Sequence, residues 1–180
     1  GTEEEKIIRD MAVFSAFGEG LQLFASFVML LNFTRFGKMK GMGQIVAWSI
    51  RDESHHVESM IKLLHAVLDE MPHVWNDDFK ATLYQICRDM VKLEDKFIDL
   101  AFGMGPVEGL NPGEVKQYIR HIADRRLLQL GLKPNYGVKD NPLEWVDWIV
   151  GGVEHTNFFE NRATEYAKGT LTGTWDEAFN

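Results

Sequence analysis

The sequence contains a single cysteine, Cys87, among 180 residues. One thiol excludes a disulfide framework, a zinc ribbon and any reaction that needs two thiols of the same chain. This usage fits a reducing compartment, and we expect a cytoplasmic protein. Basic residues are also few, since 19 Lys and Arg stand against 27 Asp and Glu and the net charge is -8. A nucleic-acid surface requires clustered basic side chains, so we expect no nucleic-acid partner.

No run of alternating apolar and polar residues indicates a half-buried strand. The chain opens with an acidic segment, residues 2–5, where a signal peptide would be basic. One apolar stretch, residues 11–33, is as long as the ~20 residues that suffice to span a membrane. It contains Glu19, two glycines and several polar side chains, and no positive cluster closely precedes it. We therefore predict a buried core helix and no membrane partner.

Helical spacing of apolar residues runs through almost the whole chain and predicts an all-α fold. Thr2 and Glu5 have the spacing of a capping box, which begins a first helix that we extend to about residue 31. Further helices are predicted over residues 41–68, 76–102, 111–130, 143–150 and 157–168. The predicted third helix follows the spacing of Leu83, Ile86, Met90, Leu93, Phe97 and Leu100. We predict one domain over residues 1–180, with residues 169–180 as a flexible tail.

Two short motifs resemble half of a dimetal site. Glu53 and His56 form a Glu-x-x-His motif in the predicted second helix, and residues three apart share a helical face. A carboxylate beside an imidazole suits iron or manganese. Glu19 is the only charged residue between Met11 and Thr34, and a carboxylate buried there must be protonated, paired or metal-bound. Ferritin-like dimetal bundles use two lone Glu and two Glu-x-x-His motifs, so these residues match half of that set.

Each motif also has an ordinary structural explanation. Glu19 could pair with a buried Arg or Lys, and Glu-x-x-His occurs by chance on many exposed helix faces. Glu70 and His73 form a second such motif beside a helix-breaking proline, and we interpret it as non-functional. Asp52 could hydrogen-bond a metal ligand on a neighbouring helix, or it could simply pair with Arg51.

Five segments resemble the small (beta) subunit of class I ribonucleotide reductase, in order and along nearly the whole chain. They are EGLQLFASF at 19–27, RDESHH at 51–56, YIRHIADRR at 118–126, NPLEW at 141–145 and EHTNFFENR at 154–162. The resemblance implies a ferritin-like helical bundle, to which this chain contributes about half of the four-helix core. It also assigns Glu19, Glu53 and His56 as metal ligands.

Further roles come from the same resemblance. It places Asp52 in the hydrogen-bonded network that links the metal site to radical transfer. It places Leu23 and Phe27 in an apolar pocket beside the radical residue, and Leu23 stands where an aromatic residue is often found. The expected cofactors are two iron ions, or manganese, or a mixed Mn/Fe pair. The implied function is to generate the oxidant with which the large subunit reduces ribonucleotides.

Members of this family are about twice as long as this chain, which would correspond to their C-terminal half. We expect a split-gene product or a processed fragment, with the N-terminal half as a separate chain that supplies the other ligands and the radical tyrosine. Further expected partners are the large (alpha) subunit and a second small subunit. The docking tail of the family is expected to be absent after Asn180.

Two other functions remain open from the residues alone. Two copies of the chain could pair symmetrically and complete a dimetal site, as in a homodimeric oxidase or a metal-storage protein. The chain could instead be a non-catalytic helical interaction module that keeps half of a site.

Overall fold

The computed structural model describes residues 1–152, which form helices joined by turns and contain no β-strand. The all-α class is therefore confirmed for this part of the chain. The helix predicted over 157–168 and the tail predicted over 169–180 lie outside the described residues. The helices are α1 (Glu3–Ala12), a π-helical segment (Val13–Glu19), α2 (Phe24–Arg35), α3 (Lys40–Glu70), a 3-10 helix (Pro72–Val74), α4 (Asp77–Gly103), α5 (Pro112–Gln129) and α6 (Glu144–Gly152).

Local capping chemistry sets the helix ends. The Thr2 hydroxyl accepts a hydrogen bond from the Glu5 amide, and the Glu5 carboxylate accepts one from the Thr2 amide, which completes the predicted capping box. The side chains of Asn76 and Asn111 accept hydrogen bonds from backbone amides in the first turns of α4 and α5. Beyond the end of α5, Gly131 takes a left-handed conformation with φ 77°.

The predicted first helix is wrong in one respect, because it is not continuous. The chain changes from α to π geometry at Val13, and a turn at Gln22 and Leu23 separates the π segment from α2. The Gln22 amide bonds to the Phe17 carbonyl, five residues earlier, which is the π pattern. An apolar period cannot reveal such a widened turn, since the residues on both sides keep a buried face. Helix α2 then continues to Arg35.

Helix α3 is the central element of the described fold. Helices α1, α2 and α6 and the π segment all pack against it, while α4 packs along α5. Apolar side chains from each of these helices meet in one core, in which large residues are fully excluded from solvent. They include Phe17, Leu31, Leu64, Leu83, Ile119 and Leu127.

The stretch Glu3–Arg35 is long and apolar enough to cross a membrane by length and composition alone. Within the fold, 44% of its most apolar 18-residue segment is buried. Its inner side contributes Ile8, Phe17 and Val28 to the core, as the sequence predicts for a core helix. Core helices of globular proteins pass the same test, so the stretch is weak support for a membrane span.

Helix α4 has two apolar faces, and only one of them reaches the core. The buried apolar residues of α4 are Phe79, Leu83, Cys87, Val91 and Ile98. Leu93, Phe97 and Leu100, which belong to the predicted apolar pattern, are each at least 40% exposed. The spacing therefore predicts the helix correctly but not the face that packs.

Glu94 occupies a core position on the buried face of α4. It is 5% exposed, and its Oε2 has no hydrogen-bond partner among residues 1–152. Burial raises its pKa from 4.5 to about 7, and the charge of Asp95 raises it further, while the backbone amide of Ala25 acts in the opposite direction. Glu94 is therefore partly protonated near neutral pH.

Replacement of Glu94 by Gln should flatten the dependence of stability on pH. Between pH 4.5 and about 7 the folded protein keeps a proton that the unfolded chain has released, so stability falls as pH rises through this window. The fall attributable to Glu94 should be on the order of 3 kcal/mol, which Glu94→Gln removes. Chemical unfolding of the purified protein at pH 5 and pH 8 measures it.

Glu58→Gln is the matched control for this experiment. Glu58 is exposed and pairs with Lys62 at 2.8 Å. Its replacement should therefore leave unchanged the fall in the free energy of unfolding between pH 5 and pH 8. Identical pH profiles for the wild-type protein and Glu94→Gln would contradict the assignment.

Candidate metal centre

Three side chains with ligand chemistry meet where the π segment faces α3. One carboxylate oxygen of Glu19, one of Glu53 and a ring nitrogen of His56 all lie within 4.8 Å of one another. Glu53 Oε2 lies 3.8 Å from His56 Nδ1. Ligand atoms that are each about 2 Å from one cation lie no more than about 4 Å apart. A small side-chain adjustment therefore brings all three donors into contact with a single divalent ion.

Glu19 is placed by the π segment, of which it is the last residue. Short π-helical insertions inside α-helices are frequent at functional sites, because the wider turn re-aims the side chains that follow. Glu19 is half-buried rather than fully buried, which corrects the expectation that apolar neighbours enclose it. Phe14 and Leu23, the apolar residues five positions before and four positions after Glu19, are 69% and 41% exposed, so solvent reaches this side of the helix.

Glu53 and His56 are placed by the rotation of α3. Ile50 and Val57, which flank the motif, are buried in the core and fix which side of the helix faces inward. The two motif residues then share the neighbouring face, as expected for residues three apart. The Glu53 side chain is 26% exposed and that of His56 65% exposed. His55, one residue earlier, is exposed and lies about 100° away around the helix axis.

The donor set fits a divalent metal ion. Two carboxylates this close repel each other unless a proton or a cation lies near them. Two hard oxygen donors and one imidazole nitrogen match the preferences of iron and manganese, and contain no thiolate that would favour a softer ion. Glu19, Glu53 and His56 could therefore hold one metal ion.

The other residues predicted for the site lie around this group. Asp52 is exposed on α3, beside Glu53 and one helical turn before His56. Phe27 is half-buried on α2 and packs edge-to-face on Phe24, with ring centroids 5.8 Å apart. Leu23 lies in the turn that precedes α2 and is largely exposed. The roles assigned to Leu23, Phe27 and Asp52 stay predictions.

The residues interpreted as non-functional have ordinary partners. His73 Nε2 lies 3.0 Å from Glu4 Oε2 on α1, so the second Glu-x-x-His motif serves as a contact between helices. Glu58 pairs with Lys62, one turn further along α3. Neither belongs to the group around Glu19.

The sequence interpretation missed Arg126, which reaches the backbone next to Glu19. Its Nε donates a hydrogen bond of 2.9 Å to the Gly20 carbonyl, and burial lowers its pKa to about 10. Its position on α5 could have revealed it, because Arg126 continues the 3–4 residue spacing of the buried Ile119 and Ile122. A charged residue at a core position requires a specific partner.

Comparison with known proteins points to one family. The family model for the small chain of ribonucleotide reductase matches residues 1–142. A protein of Invertebrate iridescent virus 3, named as a ribonucleoside-diphosphate reductase small subunit, is 51% identical over 175 residues. That match covers 97% of this chain and 46% of the viral protein. A ribonucleoside-diphosphate reductase subunit beta of Chlamydia pneumoniae is 34% identical over 161 residues, which cover 89% of this chain and 46% of that protein.

The same relationship holds for solved structures. The crystal structure of a protein described as a class I ribonucleotide reductase from Bacillus halodurans superposes with a TM-score of 0.75 at 26% identity. The superposition covers 81% of this chain and 52% of that structure, so the chain spans about half the length of the relatives it matches. The fold is that of the ferritin-like helical proteins of this family. The chain belongs to the ribonucleotide reductase small-chain family.

Proposed function

We propose that this chain is the C-terminal half of a ribonucleoside-diphosphate reductase small subunit, acting in the cytoplasm. In this role it helps to supply the oxidant with which the large subunit converts ribonucleotides to deoxyribonucleotides. The observation that carries the proposal is the convergence of Glu19, Glu53 and His56 within 4.8 Å, inside the region that matches the family.

The cofactor would be two iron ions, two manganese ions or a mixed pair, which supply one-electron oxidising chemistry with oxygen. The carboxylates of Glu19 and Glu53 would neutralise the positive charge of the ions and hold them in place. His56 would bind through one neutral ring nitrogen and donate its other N–H outward. Asp52, exposed on α3 beside Glu53, would hydrogen-bond a metal ligand on a neighbouring helix and belong to the network that leads to radical transfer. Leu23 and Phe27 would keep water away from one side of the site.

The other ligands would come from the N-terminal half of the small subunit, which we propose is a separate chain. Two features support the proposal that another chain covers the surface around Glu19 and His56. The His56 side chain is 65% exposed, although a bound imidazole needs a fixed orientation. Phe14, in the π segment that carries Glu19, is 69% exposed, and large apolar side chains near a metal site normally exclude water. The complete small subunit would pair with a second copy and with the large subunit.

Removal of one carboxylate ligand should weaken metal binding in the completed small subunit. Glu53→Gln keeps the size of the side chain but removes its charge, so the remaining ligands must hold the ion without it. We expect the apparent Kd for Mn²⁺ to rise by at least about tenfold, the lower end of what loss of a ligand's supporting partner costs. Titration followed by electron paramagnetic resonance measures the free ion directly.

Glu58→Gln provides the control, since Glu58 lies on the same helix but outside the group of three ligands. Its apparent Kd should match that of the unaltered protein. Equal Mn²⁺ affinity for Glu53→Gln and Glu58→Gln would refute the metal site and favour a non-catalytic helical module.

The chain alone should not form a radical after addition of Fe²⁺ and oxygen, because it holds only half of the ligands. The same addition in the presence of the N-terminal half-protein should give a tyrosyl-type signal in electron paramagnetic resonance. A signal from this chain alone would overturn the split-site proposal. If that signal came with dimerisation of the chain, it would support the symmetric homodimeric site instead.

A further inference from the structure

The peptide that follows Glu19 is held by a side chain from a distant helix. Arg126 on α5 donates from Nε to the Gly20 carbonyl across 2.9 Å, and both residues are buried. The contact joins residues 106 positions apart in the sequence. It is therefore a tertiary contact made directly beside the candidate ligand.

The Gly20 carbonyl requires this external donor because the helix is interrupted. In a continuous α-helix the amide of Phe24 would bond to it. Instead Gln22 bonds back to Phe17 in the π pattern, and the first bond of α2 runs from Phe27 to Leu23. A buried carbonyl left without a partner is costly, so the guanidinium replaces the missing helical bond.

The approach of Arg126 is close enough to exclude a side chain at Gly20. A Cβ atom there would lie 2.7 Å from Arg126 Nε and 3.1 Å from the Ser15 carbonyl oxygen. Gly18, on the other side of Glu19, has space, since its nearest neighbour would be the Val13 carbonyl oxygen at 3.7 Å. The tight contact thus belongs to one side of Glu19 only.

Arg126 also contacts the far side of the interruption and is itself fixed. Its guanidinium lies 5.6 Å from the centroid of the ring of Phe24, which is the first residue of α2. Its Nη1 donates to Gln129 Oε1 across 2.9 Å. One side chain therefore connects the end of the π segment, the start of α2 and helix α5.

We propose that Arg126 is a positioning residue that sets the direction of the Glu19 side chain toward Glu53 and His56. The proposal rests on the proposed function in that Glu19 is taken to be a metal ligand. Metal ligands must be held close to their bound geometry before the ion arrives, and supporting contacts do this. Arg126 acts on the backbone of the neighbouring residue and does not itself touch the ion.

Arg126→Met in the completed small subunit tests the proposal, because it keeps apolar volume and removes every donor. We expect amide hydrogen exchange of residues 19–24 to speed up in the metal-free protein. We also expect the apparent Kd for Mn²⁺ to rise about tenfold or more, as for other partners that support a ligand. Arg126→Lys keeps a cationic donor, so its amide exchange and its Mn²⁺ affinity should lie between those of Arg126→Met and the unaltered protein.

Two glycine variants approach the same contact from the other side. Gly20→Ala should displace Arg126 and reproduce both effects, and the double variant Gly20→Ala/Arg126→Met should add little to either single change. Gly18→Ala, two residues away, should leave exchange and Mn²⁺ affinity unchanged.

Arg120→Gln is a second control, because it removes an α5 ion pair with Asp95 but does not touch the interruption. It should lower the melting temperature without changing the amide hydrogen exchange of residues 19–24.

The outcomes separate the possible failures. A lower melting temperature for Arg126→Met with unchanged exchange and Kd would show a structural role only and overturn the proposal. Faster exchange with unchanged Kd would overturn it too, since the contact would then hold the backbone without positioning a ligand. If Glu19→Gln binds Mn²⁺ as tightly as the unaltered protein, the proposed metal site fails instead.

Discussion

The widened turn that ends at Glu19 is the constraint on which the candidate site depends. Helix α3 presents Glu53 and His56 in a direction fixed by its own buried residues. Glu19 comes from a separate part of the chain, as the last residue of the π segment, and its carboxylate lies beside this pair. The wider turn has a cost, because the helix cannot continue into α2 and leaves backbone groups without helical partners. The surrounding helices must satisfy those groups.

Two buried ionisable side chains lie at this interruption, and each is suited to the backbone groups that it meets there. Arg126 donates to the Gly20 carbonyl, at the end where the preceding helical segment exposes carbonyl oxygens. The carboxyl of Glu94 lies near the amide of Ala25, in the first turn of α2, where amides have no helical acceptor. A cation at a helix C-terminus and an acid at a helix N-terminus are each favourable. This arrangement explains why a core built of Leu, Ile and Phe also contains an Arg and a Glu.

What the sequence predicts correctly is local. The capping box at Thr2 and the shared face of Glu53 and His56 each depend on residues three positions apart, so spacing reveals them. The interruption after Glu19 and the choice of packing face on α4 depend on contacts with other helices. Both faces of α4 are apolar, and only the position of α5 and of the first helices decides which is buried. For Arg126, spacing along α5 indicates a buried position but not the partner, since the Gly20 carbonyl is 106 residues away.

The open face of the site has a thermodynamic consequence under the proposed assembly. His56 is exposed, so binding a metal ion requires its free side chain to adopt one orientation, which costs entropy. An N-terminal half that covers this face would order His56 and exclude water before the ion binds. Metal and partner would then each stabilise the arrangement that the other needs, and linkage makes the two effects equal in free energy. Assembly of the halves and uptake of metal would be coupled, although no residue of this chain needs to change its contacts in the core.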